Sequence, residues 1–406
     1  MGEVVALPDG VQAGSPGHLL TLLRAGSAST RPQLAAITGL ARSTVAQRVD
    51  ALLATGLVIE DGATASTGGR PATRLRFRPD AGLVLVGDLG ATHARVGVTD
   101  LAGAVLAEVA EDVDIAAGPG AVLDWLGAHF ADLLSSIGRS ADEVRGVGIG
   151  VPGPVEHDSG RPVSPPIMPG WDAYPIPEHF AERFPGAPVL VDNDVNIMAL
   201  GEYWTSFRRS VDDLLFIKVG TGIGCGIVAS GRIHRGAQGA AGDLGHVQVP
   251  GYEDAVCRCG NVACVEAIAG GQALADRLRA AGHDTRNARA VVELVAAGDR
   301  DAIRMVRDAG RTLGHVLAAA VNFFNPAVIV IGGDVANAHE PLLAGIREVV
   351  YQRSLPLATR HLRVVHSQLG DGAGIRGASA MVVEHLLAPA TVDELVTTAA
   401  ADRAAN

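Results

Sequence analysis

The chain has 406 residues, 48% hydrophobic and 19% charged, which is enough apolar side chain for two or three packed domains and excludes a largely disordered polymer. No apolar run reaches the roughly 20 residues of a membrane span, and residues 1–16 carry no charged n-region or cleavage pattern, so a cytoplasmic protein with a flexible N-terminus is expected. The net charge of −11 argues against unspecific wrapping of nucleic acid, but the charge is unevenly spread. Residues 1–80 hold eight arginines against six acidic residues, net +2, which leaves −13 on the rest. Any DNA contact is thereby confined to a weakly basic head on an acidic body.

In chain order, Leu19, Leu20, Leu22 and Leu23 predict a short helix ending near Gly26. Thr30 followed by Gln33 matches a capping box, with Pro32 tolerated in the first turn, so a second helix is expected to about Thr38, where Gly39 turns the chain. A third runs from about Arg42 to Thr55. Its Val45, Val49, Leu52 and Leu53 form one apolar stripe. The opposite face presents Arg42, Ser43, Thr44, Gln47 and Arg48, side chains suited to base edges and phosphates. Helix, glycine turn and polar-faced helix make a helix-turn-helix pattern. Residues 57–60 and 73–77 then alternate like the two strands of a wing. Between them Gly68, Gly69 and Arg70 suit a tip whose arginine enters a minor groove. The same helices would also serve a module that docks on another protein.

From Gly82 the texture changes to short apolar runs (83–89, 94–99, 146–151, 189–192, 214–219, 226–229, 327–331, 362–365) between helical stretches (120–136, 195–207, 271–281, 301–323, 341–350). This is an α/β body. The strand–glycine turn–strand units at 83–99 and 214–229 look alike, which implies two lobes with a cleft between them.

Five motifs carry chemistry. Asp88, Gly90 and Thr92 lie in a glycine-containing turn that can offer amides to phosphate and a carboxylate to hydrated Mg²⁺. Gly220, Thr221, Gly222 and Gly224 form a second such turn, and Gly332 and Gly333 a third. Asn193 and Asp194 follow a strand at a helix start, where capping and proton abstraction are both open to them. The most specific motif is His246 with Cys257, Cys259 and Cys264, the three cysteines falling within eight residues. One histidine and three thiolates complete a tetrahedral set with no open position, a structural zinc site in a reducing compartment. Cys225 reads as an inert buried thiol.

Together these motifs resemble the ROK family of sugar kinases and transcription regulators, over nearly the whole chain from about residue 18 to 380. The resemblance implies an α/β fold of the actin-like, ribonuclease H-like, two-lobed sugar-kinase type, preceded by a winged helix-turn-helix domain. The implied division is a flexible 1–16, a DNA-binding head at 17–80, and a first lobe at 81–194 completed by a C-terminal helix at about 378–406. A second lobe follows at 195–377 with the zinc loop 246–264. It also implies sugar contacts from Asn193, Asp194, Asp243, His246 and Glu266, with Asp194 as general base if phosphoryl transfer occurs.

Several positions depart from the kinase pattern. Ala91 stands where a glycine is usual, His93 where Lys or Asn is frequent, and Pro166 in place of an Asn. Asp243 replaces a Glu, and Ala263 a Gly in the zinc loop. A methyl group at 91 crowds phosphate. The expectation is therefore a sugar-responsive regulator, a repressor, forming a homodimer or tetramer on operator DNA and binding a monosaccharide or its derivative. ATP and Mg²⁺ enter only in the alternative, an ATP-dependent hexose or N-acetylhexosamine kinase.

Overall fold

A computed structural model describes residues 13–63, 72–208 and 210–405. The head starts with α1 (Pro16–Arg24), where Ser15 caps the His18 amide and Pro16 occupies the first turn. In α2 (Arg31–Thr38) the Thr30 side chain accepts from the Gln33 amide, and Gly39 ends the helix in the left-handed region at φ 70°. The Gln33 side chain reaches back to the Ser29 amide rather than to Thr30, a capping box displaced by one residue. α3 (Arg42–Ala54) follows. Leu19, Leu20, Leu34, Val45, Val49 and Leu52 are fully buried between the three helices. The antiparallel pair β1 (Val58–Ala63) and β2 (Thr73–Phe77) closes the head. The first of these strands runs three residues past its expected end at Glu60. The expected wing tip with Arg70 lies outside the described residues.

The body contains two five-stranded sheets of like design. In the first, β3 (Leu83–Leu89), β4 (Ala94–Asp100) and β5 (Val105–Glu111) run antiparallel, and β6 (Val144–Val151) lies parallel to β3. α4 (Pro119–Ser136) leads into β6. A small hairpin, β7 (Val155–Glu156) with β8 (Arg161–Pro162), and a short α5 (Ile176–Ala181) precede β9 (Val189–Asn193), which joins the sheet beside β6. Then α6 (Asp194–Glu202), extended by a π turn at Tyr203–Phe207, crosses to the second sheet.

There the hairpin β10 (Leu214–Val219) and β11 (Ile223–Ala229) repeats the β3–β4 unit, with β12 (Arg232–Ile233) at its edge. The helices α7 (Val265–Ala269), α8 (Gly271–Ala280), α9 (Ala288–Ala296) and α10 (Arg300–Phe324) follow. Next come β13 (Val328–Gly332), α11 (Glu340–Arg353), α12 (Pro356–Thr359) and β14 (Arg363–His366). β13 and β14 extend the sheet in parallel from β10, as β6 and β9 extend it from β3. The similarity of 83–99 and 214–229 in sequence is thus a similarity of whole sheets.

Two helices finish the chain, α13 (Ala373–Leu386) and α14 (Pro389–Ala405). A single C-terminal helix from about 378 was expected to complete the first lobe. The helix that covers β3 and β6 instead starts at Ala373 and crosses α6 without side chains between the backbones. A methyl group on Gly377 would sit 1.6 Å from the Ile197 carbonyl oxygen, and one on Gly201 would sit 2.1 Å from that of Ala373. The last helix packs on the head, against α1 and α3. Gly17 lies against the Pro389 backbone and donates its amide to Asp393 Oδ1 at 2.7 Å. One continuous apolar core therefore holds head residues such as Leu20 and Leu52 together with Ile197 and Leu200 of α6 and Ile375 of α13. No described helix is long and apolar enough to cross a membrane.

Candidate functional site

A cleft of about 720 Å³ opens where the β9–α6 junction of the first lobe faces the β10–β11 turn and the cysteine loop of the second. It brings together the five residues expected to meet a sugar: Asn193, Asp194, Asp243, His246 and Glu266. Each is placed by a neighbouring element. Asn193 caps α6, its Oδ1 accepting from the Val195 amide at 2.9 Å, while its Nδ2 donates to the Gly153 carbonyl at 3.0 Å. The Asn193 amide in turn donates to Asp192 Oδ1 at 2.8 Å. Asp192 is buried, and Arg235, which follows β12, donates to its other oxygen at 2.7 Å. Glu266 opens α7, and its Oε2 accepts from the Ile223 amide at 2.9 Å.

The cysteine loop forms the cleft wall. One donor atom from each of His246, Cys257, Cys259 and Cys264 lies within 4.8 Å of all the others. The Cys259 and Cys264 sulfurs are 3.8 Å apart, and the Cys257 sulfur is 3.6 Å from His246 Nδ1. Tetrahedral Zn–S bonds of about 2.3 Å place sulfurs roughly 3.8 Å apart, which matches the Cys259–Cys264 separation, so these four side chains could hold one small tetrahedral ion. His246 Nε2 points the other way, 3.8 Å from Asp243 Oδ1. The imidazole thus bridges the metal set to the cleft.

The glycine turns divide differently from expectation. Gly220, Thr221, Gly222 and Gly224 line the cleft. Two of these glycines, however, make room for side chains. A methyl group on Gly222 would sit 2.3 Å from Glu266 Oε2, and one on Gly224 would sit 2.7 Å from Val195. Asp88, Gly90, Thr92, Gly332 and Gly333 are not among the lining residues, whereas Ala91, His93 and Asp334 are. Gly332 accommodates the Phe216 ring, 2.5 Å from where its methyl group would be. Gly333 has φ 86° and lies against the Val219 backbone.

Lys218, on β10, was not singled out from the sequence. Its Nζ donates to Asp194 Oδ2, and both side chains are largely buried. Burial opposes the Lys218 charge, yet Asp194 and Asp88 outweigh it and raise its pKa. The Asp88 carboxyl is pushed up to about 7 by burial, against the pull of Lys218 and with the help of Asp194. The available signal was a single charge in the otherwise apolar run Leu214–Val219.

On the head, Arg42, Ser43 and Gln47 are exposed on one face of α3 and Thr44 is half-buried. Arg48 departs from expectation. It borders the buried Val45 and Val49 stripe, and its guanidinium turns back to donate to the Gly14 carbonyl. Arg31 is likewise engaged, by Asp50 at 2.8 Å and Glu60 at 2.7 Å.

A xylose repressor from Caldicellulosiruptor bescii is 30% identical over 371 residues, covering 88% of this chain and 92% of the relative. A solved ROK family transcriptional regulator, described as a homologue of the Escherichia coli MLC protein, superposes with a TM-score of 0.78 at 26% identity. It covers 94% of this chain and 98% of its own, head included. A ROK glucokinase from Streptomyces griseus, solved with glucose and AMPPNP, superposes at 0.64 with 29% identity, on 74% of this chain and 99% of its own. The ROK family model matches residues 85–385, and the chain belongs to the ROK family.

Proposed function

We propose that the protein is a sugar-responsive transcriptional repressor. The observation that carries this reading is the shared core: the helix that begins at Asp194 in the cleft packs, through Ile197 and Leu200, into the same apolar cluster as the head helices. Interiors of this density transmit displacement rather than absorb it. The repressor relative and the regulator structure both extend over the head, which supports a DNA-reading role for it.

In this reading the head is a winged helix-turn-helix domain, and Arg42, Ser43, Thr44 and Gln47 face the major groove of operator DNA. The chain acts as a homo-oligomer, since two heads are needed for a palindromic site. A monosaccharide lies between the lobes against Asn193, Asp194, Asp243, His246 and Glu266. The metal is structural Zn²⁺ held by His246, Cys257, Cys259 and Cys264. A closed set leaves it no position for substrate, so its part is to orient His246 and Glu266 toward the sugar. The same pocket and the glucokinase likeness support a second reading, an ATP-dependent sugar kinase with Asp194 as base.

The test is selection of duplexes by the full chain from a random pool, followed by titration with xylose, glucose and N-acetylglucosamine. A repressor retains a defined, salt-sensitive site and releases it with one of these sugars. ADP formation without a selected site supports the kinase instead.

A further inference from the structure

The second lobe presents a cation where the kinase resemblance would have a nucleotide-bound metal. Lys218 Nζ is bonded to Asp194 Oδ2, with the Lys218 side chain 19% and the Asp194 side chain 5% exposed. Its charge also acts on Asp88, the carboxylate that resemblance assigns to Mg²⁺. Some amides of the glycine turns nearby are used by the protein itself. The Gly90 amide donates to the His93 carbonyl at 2.8 Å. The His93 ring covers Gly90, with Cε1 3.0 Å from the position a methyl group would take there. In the second turn the Gly220 amide is used by the Gly222 carbonyl at 2.9 Å, and the Ile223 amide by Glu266.

We infer that Lys218 is a tethered cation that takes the place of a divalent ion beside Asp194, so that the cleft receives its sugar without a metal–nucleotide complex. The inference rests on the regulator reading and makes it more specific: it names the residue that separates this cleft from a phosphoryl-transfer site. With Asp194 paired to an ammonium, little charge is left there to attract Mg²⁺, and a divalent ion brought to Asp194 meets that ammonium at contact range. With Oδ2 of Asp194 held by Lys218, only Oδ1 is left to accept a proton from a sugar hydroxyl.

The probe is Mn²⁺ with AMPPNP, followed by electron paramagnetic resonance of free Mn²⁺ on the full zinc-loaded chain. The Streptomyces griseus glucokinase serves as positive control, since it was solved with AMPPNP. The wild type is expected to leave Mn²⁺·AMPPNP in solution. Lys218→Met is expected to bind it at least tenfold more tightly, and adding Asp88→Asn to that variant to abolish the gain. A gain below tenfold, or wild-type binding equal to that of the variant, overturns the inference. Zinc content and circular dichroism check that the variant is folded. If it is not, Lys218→Gln is measured against the same threshold. Wild type that binds Mn²⁺·AMPPNP and still releases operator with sugar refutes the role of Lys218 alone. Absence of any operator site refutes the regulator reading alone.

Discussion

Gly377→Ala tests whether the α6–α13 crossing fixes both the body and the cleft. The added methyl would lie 1.6 Å from the Ile197 carbonyl oxygen, 2.5 Å from its carbon and 2.9 Å from the Gly201 amide nitrogen. All three atoms are backbone, so no side chain can swing aside, and the helices must separate by more than an ångström. Overpacking typically costs about 1–3 kcal/mol, and rigid neighbours put this case at the upper end. Alanine recovers about 1 kcal/mol of helix propensity over glycine. A net loss of about 2 kcal/mol is therefore expected in urea-induced unfolding followed by circular dichroism. Because α6 starts at Asp194, sugar affinity should fall as well. Gly372→Ala is the control, since a methyl group there meets nothing within 4 Å, and it should change stability by less than about 0.5 kcal/mol. If Gly377→Ala behaves like the control, the crossing is not the rigid joint described here.

Further expectations follow from individual residues. Cys264→Ser should lose the metal and, with it, the order of Glu266 two residues on; inductively coupled plasma measurement of zinc and a lowered melting temperature check this, and full retention of zinc contradicts it. Asp88 binds its proton more tightly when folded, with a pKa moved from 3.8 to about 7, so its contribution destabilises the fold increasingly as pH rises through that window. The stability of Asp88→Asn relative to wild type should accordingly grow between pH 5 and pH 8 in thermal melts, and a difference independent of pH refutes the assignment. Gln47→Ala should weaken operator binding tenfold or so through lost base contacts, with an unchanged melt. Arg48→Ala should instead lower head stability by about 1 kcal/mol, through loss of the bond to Gly14, as read from urea unfolding.

Much of this architecture is legible in the residues because it is local. Thr30 and Gly39 bound α2 by capping and left-handed geometry, and runs such as Leu83–Leu89 and Leu214–Val219 can hardly be anything but buried strands. β5 escaped because its residues alternate between half-buried and exposed positions at a sheet edge. The cysteine cluster was readable because tetrahedral coordination demands its spacing. What escaped there was pairing between distant elements. Lys218 meets Asp194 across 24 residues, and Arg235 meets Asp192 across 43. Glycines were read as phosphate cradles; that Gly222, Gly224 and Gly332 also leave room for Glu266, Val195 and Phe216 depends on distant elements. The docking of α14 on the head depends on Gly17 against Pro389, an approach that an Ala- and Thr-rich helix does not advertise.

Coupling between cleft and head is the claim on which the functional account stands, and linkage makes it measurable from the sugar side. Isothermal titration of the effector sugar into the full chain, with and without a saturating selected duplex, reads it directly. The account predicts weaker sugar binding on DNA, by the same factor by which sugar weakens DNA binding. Equal sugar affinity in both titrations would contradict it.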